Sequence, residues 1–184
     1  CINANNKPNY YSIEADKYFF GYLKKNKEIF EKDMQQKITI INELVGENLE
    51  GNLSKTTHGT KSLIESSNGT KTKPLDEIIN DYQIQNLKLI KVDVDGYDYN
   101  VLLSGIKEIK KSKPDLFFEY INRNKLSYVK LIEELSKIGY SSWTIFNLYG
   151  FMIFENKTYS DVIKFMDSEE TNNNNIDIFC KINA

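Results

Sequence analysis

Between Leu89 and Ile109 the hydrophobic pattern changes period across a single glycine, and no other feature restricts the fold as much. Leu89, Ile90, Val92 and Val94 place bulky apolar groups on an extended segment, whereas Val101, Leu102, Ile106 and Ile109 recur at helical spacing. The junction, Asp93-Val94-Asp95-Gly96-Tyr97-Asp98, packs three aspartates into six positions. Side chains alternate along a strand, so Lys91, Asp93 and Asp95 are expected to point the same way. Open α/β sheets bind ligands at the carboxyl ends of their strands, which is where these acids fall. A plainer account competes: Asp and Gly make the turn and cap the helix that follows.

The same alternation runs along the rest of the chain. Tyr10 to Glu14 reads as a short strand closing on an acid. Asp16 then caps a helix with Tyr18, Phe19, Tyr22 and Leu23 on one side. Lys37 to Glu43 is the next strand, and residues 46–73, rich in Gly, Ser, Thr and Asn, are expected to hold a loose hairpin. Pro74 opens a helix to about Tyr82 with Leu75, Ile78 and Ile79 inward. After Pro114 comes a strand, Asp115 to Ile121, and then the stripe Val129, Ile132, Leu135 and Ile138 of a helix that Gly139 terminates. Trp143–Phe146 and Phe151–Phe154 form a strand pair turning at Tyr149-Gly150. Tyr159–Met166 is a short helix, 172–175 a polar loop, and Ile176–Ile182 a last strand. Strands alternating with helices imply an α/β layer fold with a mostly parallel sheet.

A chain of 184 residues is expected to form one domain, with 40% hydrophobic and 27% charged residues as in soluble globular proteins. A net charge of -2 gives no general attraction to nucleic acid or anionic membrane. No apolar run approaches the roughly 18 residues a membrane helix needs. The two cysteines, Cys1 and Cys180, stand at opposite ends and there is one histidine, which excludes a Cys/His zinc cluster and weighs against a disulfide scaffold. A cytoplasmic protein that inserts in no membrane and binds no nucleic acid is therefore expected. The first residue is Cys rather than Met, which reads as a fragment or a processed product.

Taken in order, these residues resemble the FkbM family of S-adenosylmethionine-dependent methyltransferases. The block Lys91-Val92-Asp93-Val94-Asp95-Gly96, with Asp98, Val101-Leu102 and the segment Pro114 to Glu119, is similar to that family's most specific stretch. Asp95 and Asp98 stand where the family often has glutamates. Leu75-Asp76-Glu77-Ile78, Gly59-Thr60-Lys61-Ser62-Leu63, Tyr11-Ser12-Ile13-Glu14-Ala15 and Asn42-Glu43-Leu44-Val45-Gly46 resemble further family segments, so the likeness covers about residues 9 to 155. It implies a Rossmann-like class I methyltransferase fold, a three-layer sandwich, in one partial domain over 1–184. The family's first strand and helix have no counterpart here. Only eight residues separate Asn5 from Glu14, fewer than a parallel crossover requires.

The resemblance implies S-adenosylmethionine as cofactor, with Glu14 and Ala15 at its ribose, Glu43 and Leu44 beside its adenine, and Asp93 near both cofactor and acceptor. The reaction implied is O-methylation of a sugar, glycan or small natural product. The acceptor hydroxyl must lose a proton, so a carboxylate within hydrogen-bond reach assists. Asp93 is the first candidate, Asp95 the second and His58, the lone imidazole, the third. Lys91 is expected to pair with a carboxylate. Glu119 is expected either to reach substrate or Asp95, or to pair with Arg123. No obligatory metal is expected, because the spacing lacks the glycine and terminal glutamate of a calcium loop. Two rivals remain. Val92-Asp93-Val94-Asp95 also fits a metal-dependent sugar-nucleotide glycosyltransferase, and a chain without the first cofactor motif fits a non-catalytic, degenerate methyltransferase fold.

Overall fold

The computed structural model describes residues 8–47, 49–55, 61–168, 171 and 175–183. The chain divides into two compact units, Cys1–Lys73 and Pro74–Ala184, and each has its own architecture.

In the first unit, β1 (Tyr10–Ile13) runs parallel to β2 (Ile38–Ile41), with Tyr10 opposite Ile38 and Ile13 opposite Ile41. The helix α1 (Lys17–Met34) connects them. Asp16 caps it as expected, its carboxylate accepting from the N–H groups of Tyr18 and Phe19 at 2.9 and 3.1 Å. The helix ends at Gln35, whose φ of 50° is left-handed. Its inward stripe is rotated from the expected one. Phe19, Leu23 and Phe30 are half-buried, and Phe30 meets Tyr10 edge-on at 5.4 Å. Tyr18 and Tyr22 face out, 62% and 49% exposed, their hydroxyls 3.0 Å apart. A phenol keeps its oxygen in water at little cost, so the pure hydrocarbon rings take the inside.

Residues 46–73 form more than a hairpin: β3 (Glu50–Lys55) pairs antiparallel with both β4 (Lys61–Glu65) and β5 (Thr70–Lys71). Residues 56–60, and His58 with them, lie outside the described residues. So do residues 1–7, on which the expected lack of a first strand and helix falls.

The second unit is built on a five-stranded sheet in the order β6-β7-β10-β8-β9, where β6 is Leu89–Val92, β7 Asp115–Tyr120, β8 Ser142–Asn147, β9 Met152–Lys157 and β10 Ile176–Lys181. The expected mostly parallel arrangement is met between β6 and β7 and, in the first unit, between β1 and β2. The other pairs of described strands are antiparallel. Connectivity explains this. The tight turn ending at Gly150 (φ 76°) returns β9 beside β8. The helix α6 (Tyr159–Met166) then carries the chain back, so β10 enters from the carboxyl edge and runs against both β7 and β8. β6, β7 and β8 therefore share one direction.

One face of this sheet is the core. Leu116 and Phe118 of β7 register with Cys180 and Ile178 of β10, which register in turn with Trp143 and Ile145 of β8; all are fully buried. The helix α5 (Lys125–Ile138) lies on that face, with the Tyr128 ring 6.4 Å from Phe118 and 5.1 Å from Tyr120. It buries Leu131, Ile132 and Leu135 beside Tyr128 and stops at Gly139, φ 114°. Toward the opposite face point Asp115, Phe117 and Glu119 of β7, all half-buried.

The helical run after β6 is broken into α3 (Asp98–Ser104) and α4 (Ile106–Ser112) at Gly105. A β-carbon at Gly105 would stand 2.7 Å from Leu75 Cδ2 of α2 (Leu75–Asp81). The α2 contact is also polar: Leu75 N–H donates to Ser104 Oγ at 3.0 Å, and Asp76 Oδ1 accepts from Glu108 N–H at 3.0 Å, capping α4 from outside. The β8–β9 turn carries apolar side chains into solvent: Leu148, Tyr149, Phe151 and Met152 are 57%, 84%, 69% and 54% exposed. Among the described residues no helix is long and apolar enough to cross a membrane.

Candidate functional site

β6 stops at Val92, earlier than the apolar pattern suggests, so Asp93 is the first residue beyond the strand and Asp95 is not on it. Asp95 and Gly96 both have positive φ, 51° and 93°, and Tyr97 N–H reaches back to Val94 O at 3.4 Å. Left-handed backbone at both central residues is the signature of a type I′ turn, for which Asp-Gly is a preferred sequence. The shared orientation expected for Lys91, Asp93 and Asp95 thus holds along β6 only as far as Asp93. Lys91 Nζ pairs with Asp93 Oδ2 at 2.7 Å, both side chains more than half exposed.

Two neighbours brace this turn. Arg123 Nη2 donates to Asp95 O at 2.7 Å, and Asn124 Nδ2 to Gly96 O at 2.8 Å. Both lie in a single 3-10 turn, Asn122–Asn124, that follows β7. Arg123 is thereby committed to a carbonyl, and Glu119 takes a different partner: its Oε1 accepts from Asn175 Nδ2 at 2.9 Å.

The third aspartate behaves differently from the first two. Asp98 is 0% exposed. Its Oδ1 accepts from Glu119 N–H at 3.0 Å and its Oδ2 from Val94 N–H at 3.3 Å. Burial pushes its pKa up to about 6 against the pull of those donors. Burial likewise raises Glu119, with Asp98, Asp93 and Asp177 adding like charge while the Asn175 amide pulls down. Asp177, opposite Glu119 in the β7–β10 register, is raised by burial and by Asp93, with Lys91 opposing. Asp98, Glu119 and Asp177 therefore hold protons more readily than solvated carboxylates. Among the described residues no group of three or more His, Cys, Asp or Glu is arranged to hold a metal ion.

The expected cofactor residues of the first unit gather at the carboxyl ends of β1 and β2. Glu14 N–H donates to Ile41 O at 3.0 Å, extending the parallel ladder by one bond. Asn42, just past β2, reaches across with its amide and donates to Glu14 O at 2.7 Å and Ala15 O at 3.0 Å. Sequence reasoning had placed Asn42 in a segment without giving it a task; this crossing bond depends on strand pairing and carries no local signal. Glu14 Oε1 accepts from Asp16 N–H at 2.7 Å. The lone pairs left on that carboxylate can accept further hydrogen bonds from hydroxyl donors. Glu43 lies 3.9 Å from Lys73 Nζ, and Leu44 O accepts from Lys73 N–H at 2.7 Å, so the segment after β2 is stapled in place.

The family model described as the methyltransferase FkbM domain matches residues 2–170. Among solved structures, the methyltransferase FkbM from Methylobacillus flagellatus KT is 22% identical to this chain, with 59% of this chain and 25% of that one covered and a TM-score of 0.40. The chain therefore matches about a quarter of the length of that protein. No curated protein matches. With the family model spanning nearly its whole length, the chain belongs to the methyltransferase FkbM domain family.

Proposed function

We propose that this member of the FkbM methyltransferase family acts in the cytoplasm and transfers a methyl group from S-adenosylmethionine to a hydroxyl oxygen of a sugar, glycan or small natural product, on a Rossmann-like class I framework. The observation that carries the reading is the family match over residues 2–170. When bound, the cofactor supplies an electrophilic methyl group on a sulfonium.

The chain's own residues take the remaining tasks. Glu14 accepts hydrogen bonds from the ribose hydroxyls, and the backbone of Ala15, gripped by Asn42, keeps that carboxylate at the strand end. Glu43 and Leu44 border the adenine. Asp93 accepts the proton of the acceptor hydroxyl or orients it, with Lys91 Nζ 2.7 Å from its carboxylate. Asp95 and His58 are the alternative bases. The dense acid corner of Asp93, Glu119 and Asp177 supports this assignment of the acceptor end.

Calorimetric titration with S-adenosylhomocysteine tests the reading. The protein should bind it, and Glu14→Gln, which loses a charged acceptor, should weaken binding by roughly 10- to 100-fold. Asp93→Asn should leave that affinity within about threefold while lowering methyl transfer by about 100-fold or more. A protein that does not bind S-adenosylhomocysteine would overturn the proposal. Exhaustive chelation should leave transfer intact; a loss restored only by Mg²⁺ would point to metal-dependent chemistry instead.

A further inference from the structure

We propose that Asp98 is a positioning residue for Asp93: its side chain ties β7 to the segment after β6 at the end of the β6–β7 ladder and so holds the chain bearing Asp93 where it leaves the sheet. The inference rests on the role given to Asp93 above. The β6–β7 register runs from Leu89 opposite Asp115 to Val92 opposite Phe118 and then stops. On β7, Asp115 N–H donates to Lys88 O at 2.9 Å, and alternation brings the N–H of Glu119 to that same edge. There the last rung of the ladder, Val92 opposite Phe118, ends, and Asp98 Oδ1 accepts from the Glu119 N–H at 3.0 Å, while the N–H of Val94, one residue past Asp93, goes to Oδ2 at 3.3 Å.

One carboxylate thus binds both the adjoining strand and the residue next to Asp93. Asp98 is fully buried, so it acts through these two N–H groups and meets no acceptor itself. Its backbone is fixed in turn, because α3 buries Val101 and Leu102 one turn further on. The titratable groups it interacts with are Asp93 from the turn, Glu119 from β7 and Tyr128 from α5, and Tyr99 and Arg123 act in turn on Tyr128. The Tyr128 hydroxyl is buried with no hydrogen-bond partner among the described residues, so it does not compete for the carboxylate. Both donors on Asp98 are N–H groups, and an amide offers one acceptor and one donor in the same space. Asp98→Asn must therefore give up one of the two bonds, whereas Asp98→Glu keeps both acceptors.

The test follows the Asp93 carboxyl carbon by ¹³C NMR against pH in the ¹³C-labelled protein, alongside amide exchange at Val94 and Glu119. Asp98→Asn should move the midpoint of the Asp93 curve by roughly half a pH unit or more. It should also speed exchange at Val94 or Glu119 by about tenfold or more. Asp98→Glu should restore most of both. A folded Asp98→Asn protein with an unchanged Asp93 curve overturns the proposal, since a purely structural role would lower the melting temperature alone. Should the variants fail to fold, the native protein decides: Val94 and Glu119 amides exchanging as slowly as Phe117 support the brace, and loop-like rates overturn it. None of these readings needs a ligand. Failure of the native protein to bind S-adenosylhomocysteine would sink the methyltransferase reading without changing these readouts, so the two failures are told apart.

Discussion

At Asp98, burial and two backbone N–H donors pull in opposite directions, and burial wins: its pKa is raised from 3.8 to about 6. The folded protein then holds this proton more tightly than the unfolded chain. Stability from Asp98 is fully present below about pH 4 and is withdrawn as pH rises through about 6, by on the order of 2–3 kcal/mol in total. Glu119 and Asp177, also raised, act in the same direction. We expect the urea midpoint to fall between pH 4.5 and 7, and Asp98→Asn, although less stable at the lower pH, to flatten that part of the curve. Gly96 gives a second expectation. Its φ is 93°, and a β-carbon there would sit 3.0 Å from Arg123 Nη2. Gly96→Ala should cost about 1–2 kcal/mol in chemical denaturation, through backbone strain and a displaced Arg123.

At the scale of elements, Gly105 decides between two opposed effects. Alanine is the better helix former by about 1 kcal/mol. Its β-carbon would nevertheless press on three atoms of Leu75, the nearest at 2.7 Å, and Leu75 is buried. Overpacking of this kind costs about 1–3 kcal/mol, so Gly105→Ala should lower the melting temperature despite the gain in propensity. The same position shows why part of the fold was legible and part was not. α2 and β7 can be read directly, because Pro74 and Pro114 mark their starts and the apolar period is clean. Gly105 marks the α3–α4 break locally, but the Leu75 side chain packed against it lies thirty positions upstream and leaves no local signal. The insertion of β10 between β7 and β8 was hidden for the same reason: strand order is a long-range property. Within the site, three clustered aspartates were plain in the sequence, but their separate behaviours were not. Which acid is buried, which turns the chain and which meets Lys91 depends on where β6 stops.

At the scale of the whole molecule, two useful probes lie in the Pro74–Ala184 unit. Trp143 is the one tryptophan, and Cys180 is a free buried thiol whose pKa burial raises well above the ordinary value. With Cys1 replaced by serine, Cys180 should resist thiol reagents until this unit opens, and its labelling midpoint in urea should coincide with that of Trp143 fluorescence. Labelling well before the fluorescence change would mean that β10 detaches first. The β8–β9 turn has a more practical effect. With Tyr149 84% and Phe151 69% exposed, the tip offers a phenyl-substituted chromatography resin a ready foothold in concentrated ammonium sulfate, where salt favours burial of apolar surface. Paired Tyr149→Ser and Phe151→Ser changes should bring the eluted peak forward, and the unaltered protein should be the one that clouds first on concentration.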